Sequence, residues 1–337
     1  MLSAAGLGAR IWDGNEAEEE SQFEGVGAWR DFARNPAAGV GLYQDYVGAG
    51  SLVEFLLDRR EPLALYYHNL TPAELLRRFD PEGARLIELG REELRRLAPR
   101  LRLALAASEF SAAELRSHGV RDVRVMPPYG PNLSAEDDPE YERGLRATKR
   151  GLDLLFVGRV APHKGHSLLV QVAALLSAGR DEPVRCFCVG APGPVPYMFA
   201  LDRLRDRLGM RDKVIFTGSV SDARLAAHYR VADLFLCLSE HEGFCLPLLE
   251  AMRADVPVVA YAVGAVPETM GQAGMLVRTR DPLVIAEVVN RTVTDGPLHD
   301  GILARQASRA KEVEGFDRDG VLVRAVQQLL EREPATP

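Results

Sequence analysis

From Leu152 onward, short apolar runs alternate with segments whose apolar residues recur at helical spacing. The runs are LDLLFVG (152–158), VRCFCVG (184–190), VIFTG (214–218), ADLFLCL (232–238), VPVVAY (256–261) and GMLV (274–277). Between them lie SLLVQVAALLSAG, YMFALDRLRDRLG, SDARLAAHYRVA, LPLLEAMRA and AVPETMG. Near-continuous apolar strands separated by helices predict parallel strands buried on both faces, hence an α/β, doubly wound sheet. Two or three helices follow from about Pro282 to Leu330, the last opened by the cap-like FDRDG.

The first half repeats the scheme less regularly. Its predicted strands are ARIWD (9–13), VGLYQ (40–44), PLALYYH (62–68), LRLALAAS (101–108) and VRVMP (123–127). A long helix rich in Arg and Glu is expected between Pro72 and Pro99, and no short repeat suggests a solenoid. The polar stretch 129–150 (YGPNLSAEDDPEYERGLRATKR) reads as the boundary between two Rossmann-like domains facing a cleft. The expected division is 1–140 and 150–313, with a C-terminal helix at 315–332 a candidate to pack back on the first domain. In such sheets ligands sit at the carboxyl ends of strands, so the loops after strands carry the chemistry.

Composition narrows the classes. The chain has 337 residues, 47% hydrophobic and 26% charged, which excludes global disorder and fits two domains. A formal net charge of −7 argues against a nucleic-acid binder, and no apolar run reaches the length of a membrane span. Four cysteines in a chain of this length, with no secretory signal at its start, point to the cytoplasm and reduced thiols. Only Lys149, Lys164, Lys213 and Lys311 are lysines, so arginine is the usual cation here.

Two loops stand out. In FVGRVAPHKGH, Gly158 lets the backbone turn, Arg159 offers a fork of donors, and Lys164 adds a point charge beside Gly165. Alone, this reads equally well as a diphosphate loop or as a surface loop with two solvated cations. SEHEGFCLPLLEAM follows ADLFLCL and opens a helix at about Leu246. The amides of Gly243, Phe244 and Cys245 then lie near a helix N-terminus, where anions bind. Glu242 in the turn and Glu250 eight residues on are expected near one face. Two carboxylates for sugar hydroxyls beside amides for phosphate describe a nucleotide-sugar pocket.

The pair GRVAPHKG and EGFCLPLLE resembles the retaining GT-B glycosyltransferases of the family-4 type ("glycosyl transferases group 1"), nearly end to end over the second domain. YYHNLTP and LAASEFSAAELRSHGV are similar to the first domain of bacterial members. The resemblance implies that Arg159 and Lys164 hold the donor diphosphate. It implies that Glu242 binds the donor sugar near the reacting carbon, helped by Gly243, Phe244, Cys245 and Leu246. Glu250 is implied for the ribose and Val220, through its backbone, for the base. His68, at a strand end, is implied to reach the donor sugar or phosphate as a second catalytic residue. The implied reaction moves a sugar from a nucleotide-diphosphate sugar to a hydroxyl of a glycan, lipid-linked or small-molecule acceptor, without metal or other cofactor. The alternatives are a GT-B protein that binds nucleotide sugar or partners a transferase without turnover, and a GT-B phosphorylase or coupling enzyme.

Competing signals are thin. Four Gly-x-Gly strings, from Gly6, Gly25, Gly39 and Gly48, lack the third glycine of a dinucleotide fingerprint. His163-x-x-His166 and Cys186-x-Cys188 lack a second ligand pair for a metal, and Asp317-Arg318-Asp319 reads as a helix cap. The stretch from Arg91 to Arg102 admits either peripheral contact with anionic lipid at the inner face of the membrane or a solvated helix face. The resemblance also implies that ARIWD is the second strand of its domain, so the first strand is expected to be missing. Self-association through the sheet left open is then one expectation.

Overall fold

The computed structural model describes residues 12–13, 27–28, 41–44, 50–130, 133 and 137–331. Among them the chain divides into two compact units, one of 1–73, 85–127 and 316–337, the other of 74–84 and 128–315. ARIWD (9–13), expected as the second strand of its domain, lies mostly outside the described residues, and with it the expectation of a missing first strand and of self-association there. What is described there is a parallel two-residue pairing of β1 (Trp12–Asp13) with β2 (Gly27–Ala28).

The first unit holds a parallel sheet of β3 (Gly41–Gln44), β4 (Leu63–Tyr67), β5 (Leu101–Ala106) and β6 (Val123–Val125), in that order. Its helices are α1 (Ser51–Leu57), most of α2 (Pro81–Leu97) and α3 (Glu109–Ser117). Side-chain alternation sorts the strands cleanly. Leu63, Leu65, Tyr67, Ala104 and Ala106 meet Leu94, Leu97 and Leu115 on one face, while Ala64, Leu103 and Leu105 point to the other. Both faces are covered, so these strands read as continuous apolar runs.

The second unit carries the larger sheet. Its elements run α4 (Pro139–Thr148), β7 (Leu152–Val157), α5 (His166–Gly179), β8 (Val184–Val189), α6 (Val195–Arg207), β9 (Val214–Gly218) and α7 (Asp222–Val231). They continue through β10 (Leu234–Cys237), α8 (Leu246–Arg253), β11 (Val258–Tyr261), α9 (Val266–Met270), β12 (Met275–Val277), α10 (Pro282–Thr294) and α11 (Gly296–Glu314). Strand order is β12-β11-β10-β7-β8-β9, all parallel. The chain starts in the middle, winds outward to β9, then returns to the other side of β7. Order therefore reverses between β7 and β10, and the loops leaving these two strands flank the switch point where doubly wound sheets bind ligands.

The last helix, α12 (Arg318–Glu331), lies against β5 in the first unit. Ala325 and Leu329 cover Ala64, Leu103, Leu105 and Met126, and Arg318 Nε donates to the Pro127 carbonyl at 2.9 Å. Asp317 caps this helix through Oδ1, which accepts from the Gly320 amide at 2.9 Å.

One expectation needs adjustment. The boundary expected within 129–150 falls just before that stretch, between Pro127 and Pro128. Helix α4 within it is fastened to α7 by Tyr141 Oη on His228 Nε2 (3.0 Å) and by Arg230 donating to Glu142 (2.6 Å). The long Arg- and Glu-rich helix expected between Pro72 and Pro99 is present as α2 (Pro81–Leu97). A one-turn 3-10 helix at Ala73–Leu75 is followed by α2, whose start is set by Asp80 accepting from the Gly83 amide and by Pro81 in the first turn.

Candidate functional site

The first motif loop leaves β7 at Val157 and stays paired with the chain beyond β8, Gly158 N donating to Val189 O and Val160 N to Ala191 O, both at 2.9 Å. A 3-10 turn, Pro162–Lys164, ends at Gly165, whose φ of +73° lies in the left-handed region. A Cβ there would stand 2.1 Å from the Leu238 carbonyl oxygen, so only glycine lets this loop lie against the end of β10. The Glu240 amide donates to His163 O at 2.6 Å and ties the two loops together.

The result is an ion pair. Lys164 Nζ donates to Glu242 Oε1 at 2.7 Å, the two side chains being 22% and 9% exposed. Burial works against the ammonium, but the Glu242 carboxylate and the Cys245 and Cys237 sulfurs outweigh it, and the Lys164 pKa is raised. The Glu242 backbone is fixed from the far side, its carbonyl accepting from Ala265 N at 3.0 Å. Gly264, at φ +54°, has no room for a Cβ there, which would lie 2.5 Å from that same oxygen. Thr269, fully buried, donates Oγ1–H to Phe244 O at 2.5 Å.

Cys245 stands at the N-cap of α8 in the left-handed region, φ +73°, and no side chain caps the helix. Pro247 has no N–H and Leu248 N already donates to Cys245 O at 3.1 Å, so the Leu246 amide and the helix dipole are what the first turn offers an anion. Leu246 and Pro247 open the helix, while Leu248, Leu249, Ala251 and Met252 bury its inner side. Glu250 is buried with them and accepts from Tyr229 Oη–H at 2.7 Å. Burial raises its pKa, and the Tyr229 phenol is pushed well above its usual value by burial and by the Glu250 carboxyl.

Helical periodicity does not relate the two glutamates as the spacing argument expected. Glu242 precedes the helix, and the left-handed turn at Cys245 breaks the register on which the spacing argument relied. Each carboxylate has its own partner, Lys164 for one and Tyr229 for the other. Arg159 is 61% exposed and lies 3.7 Å from Asp80, an acid that the sequence did not single out. Val220 sits half-buried in the loop between β9 and α7, next to Ser221, which caps α7. His68 follows β4 in the first unit with Tyr66 edge-on at 4.5 Å, and burial lowers its pKa.

His163, His166, Cys186 and Cys188 join no group of three metal donors among the described residues. Burial lowers the pKa values of His163 and His166 to about 3, with the Lys164 charge adding to the effect. Cys186 and Cys188 are core residues of β8. A cleft of about 450 Å³ around Arg150, Arg180, Asp233, Asp255 and His299 lies at the amino ends of the strands, away from the switch-point loops. Among the described residues no helix is long and apolar enough to cross a membrane. Sequence reasoning missed Tyr229 and Cys237. Tyr229 reaches Glu250 from a separate helix, and Cys237 reads as one more apolar strand residue.

Residues 137–312, just over half of the chain, match the family described as "Glycosyl transferases group 1". A D-inositol 3-phosphate glycosyltransferase of Geodermatophilus obscurus is 35% identical over 216 residues, 60% of this chain and 47% of the relative. A 2-deoxystreptamine N-acetyl-D-glucosaminyltransferase of Streptomyces fradiae is 28% identical over 259 residues, 74% of this chain and 60% of the relative. The match thus spans about half the length of the first of these relatives. Among solved structures, Anabaena HepE in complex with UDP superposes with a TM-score of 0.66 at 21% identity, over 87% of this chain and 79% of that one. WaaG, a glycosyltransferase of lipopolysaccharide biosynthesis, superposes with a TM-score of 0.65 at 19% identity, over 98% and 93%. At these identities the likeness shows the fold, two Rossmann-like α/β units of GT-B type.

Proposed function

The chain belongs to the group 1 glycosyl transferases, and from that premise we propose that it moves a sugar from a nucleotide-diphosphate sugar to an acceptor hydroxyl, with retained anomeric configuration and no metal requirement. The observation that carries this reading is the Lys164–Glu242 pair, 2.7 Å apart, on the two switch-point loops beside the uncapped head of α8. In the reaction the bond from the anomeric carbon to the diphosphate breaks, the acceptor oxygen bonds to that carbon, and the acceptor hydroxyl loses its proton. Charge grows on the departing diphosphate. Arg159, Lys164 and the amides of Gly243, Phe244, Cys245 and Leu246 are fixed positive groups for it, and such groups act best when water is excluded.

Glu242 then serves the donor sugar, released in part from Lys164 as the diphosphate arrives. Glu250 serves the ribose and Val220, through its backbone, the base. His68 serves the donor sugar or phosphate as a neutral imidazole, in keeping with its lowered pKa. The relatives' named acceptors, an inositol phosphate and 2-deoxystreptamine, are both cyclitols, so a cyclitol hydroxyl is the first acceptor to test. All four cysteines are free thiols, which supports a reducing, cytoplasmic setting.

The test is unfolding in the presence of UDP-, GDP- and ADP-sugars, followed by nucleotide release with a cyclitol acceptor and chelator present. A donor at 100-fold over its dissociation constant stabilises by about 2.7 kcal/mol. Stabilisation without release would make the protein a binder. Release that needs inorganic phosphate and a disaccharide would make it a phosphorylase. Product anomers read by NMR decide retention.

A further inference from the structure

Cys237, Glu242 and Cys245 bring two sulfurs and a carboxylate oxygen within 4.8 Å of one another. Cys237 ends β10 and is buried, Glu242 lies in the following loop, and Cys245 heads α8 and is half-buried. Ala265 N holds the Glu242 carbonyl and Thr269 Oγ1 holds the Phe244 carbonyl in the peptide that leads to Cys245, so these donors sit on a fixed frame.

The Sγ atoms are 3.9 Å apart. Zinc–sulfur bonds of about 2.3 Å at the tetrahedral angle set two sulfurs about 3.8 Å apart. The spacing already fits a shared zinc ion, whereas a disulfide would need the sulfurs to close to about 2.05 Å. Two thiolates with one carboxylate are also a donor set that favours zinc over magnesium or manganese. Charge balances as well. With both thiols protonated, the Lys164 ammonium and the Glu242 carboxylate cancel. An entering Zn²⁺ displaces one proton from each thiol, two positive charges meet two new negative ones, and the buried cluster stays neutral.

We propose that Cys237, Glu242 and Cys245 form a binding site for a thiophilic divalent cation, with Zn²⁺ the best fit, and that its occupancy inhibits the donor site. Binding needs only the three side chains. Inhibition rests on the donor reading given above, because zinc takes the Glu242 carboxylate from Lys164 and from the donor sugar. It also puts two thiolates at the head of α8, where the diphosphate is meant to lie. The fourth coordination position is left to water.

The experiment titrates Co²⁺ and then Zn²⁺ into the reduced full chain, without nucleotide. One cobalt per chain is expected, with near-ultraviolet thiolate-to-cobalt absorption and the visible bands of a tetrahedral site, bleached by one equivalent of Zn²⁺. Cys237→Ser abolishes the signal, Cys188→Ser keeps it, and both variants unfold cooperatively in melts. Cobalt that binds without thiolate absorption, or a signal that survives Cys237→Ser, would overturn the site. So would thiol loss reversed by reductant but not by chelator, which would mark a disulfide. In the nucleotide-sugar unfolding assay, one equivalent of Zn²⁺ weakens donor affinity about tenfold or more in the wild type and leaves Cys237→Ser unaffected, a shift of about 1.4 kcal/mol. Unchanged or stronger donor binding would overturn inhibition while leaving the metal site standing. If no nucleotide sugar stabilises the metal-free protein, the donor reading and inhibition fall together, and the cobalt spectrum still decides the site.

Discussion

Replacing Lys164 by methionine separates what its ammonium does for the fold from the role in diphosphate binding proposed for it. The ammonium lies 2.7 Å from a Glu242 carboxylate that is only 9% exposed. Removing one partner of a buried pair costs about 3–5 kcal/mol, because the other charge is left without compensation. Lys164 is itself 22% exposed, so water relieves part of this and the low end, about 3 kcal/mol, is expected. For a unit of this size that lowers Tm by about 6–12 °C. Glu242→Gln strands the ammonium and is expected to cost a similar amount. The double variant leaves neither charge stranded, so it is expected to be more stable than the sum of the single losses by about 0.5–3 kcal/mol. Denaturant unfolding followed by circular dichroism gives the four free energies, and titration calorimetry with the best-binding nucleotide gives affinity. Stability returns in the double variant but nucleotide binding does not, because the positive charge is still missing. Simple additivity would refute the coupling drawn from the 2.7 Å contact. Nucleotide binding that recovers with stability would refute Lys164 as a phosphate ligand.

Glu250→Gln is expected to keep or raise Tm at pH 7 while weakening nucleotide binding. Burial raises the Glu250 pKa above 4.5, so its contribution to stability is full below pH 4.5 and lost as pH rises through the raised value; a clear fall in Tm at pH 7 would contradict this. Gly165→Ala should abolish nucleotide-induced stabilisation, since its Cβ would meet Leu238 O at 2.1 Å and force the loop away from β10; calorimetry on the folded variant checks it. His163 and His166 have pKa values lowered to about 3, so the stability they contribute is present above pH 6.5 and lost as pH falls toward 3. Unfolding free energy should decline through that window, and His166→Phe, which keeps the edge-on packing against Phe156, should flatten the decline.

The second sheet was legible because its four inner strands are buried on both faces and its half-buried edge strands β9 and β12 are apolar too, so six apolar runs map onto β7 to β12 within two residues at each end. The loops were legible because Gly165, Lys164 and Glu242 leave local traces: a glycine after a turn, a rare lysine, an acid before a helix. What the sequence hid is set by distant partners. Nothing near Glu250 announces Tyr229, and nothing in ADLFLCL marks Cys237 as facing Cys245 when it looks like an ordinary core residue. The boundary was expected slightly late for a related reason: 129–150 is polar because α4 is an exposed helix, yet Tyr141 and Glu142 fasten it to α7. The start of α2 carries its own signal, since Asp80-Pro81 is an N-cap followed by a first-turn proline.

Helix α12 is the last described element of the chain and yet part of the first unit. During synthesis, Leu103, Leu105 and Met126 leave the ribosome long before Ala325 and Leu329, which cover them, have been made. At typical bacterial-to-eukaryotic elongation rates the interval is roughly 10–40 s, ample time for the 128–315 unit to fold on its own. Vectorial folding is thus inverted: the unit begun first is completed second, and until then one face of its sheet is an apolar surface facing the cellular milieu. A translational stall between codons 128 and 315 would prolong exposure of that face, because the helix that covers it is made only after residue 315.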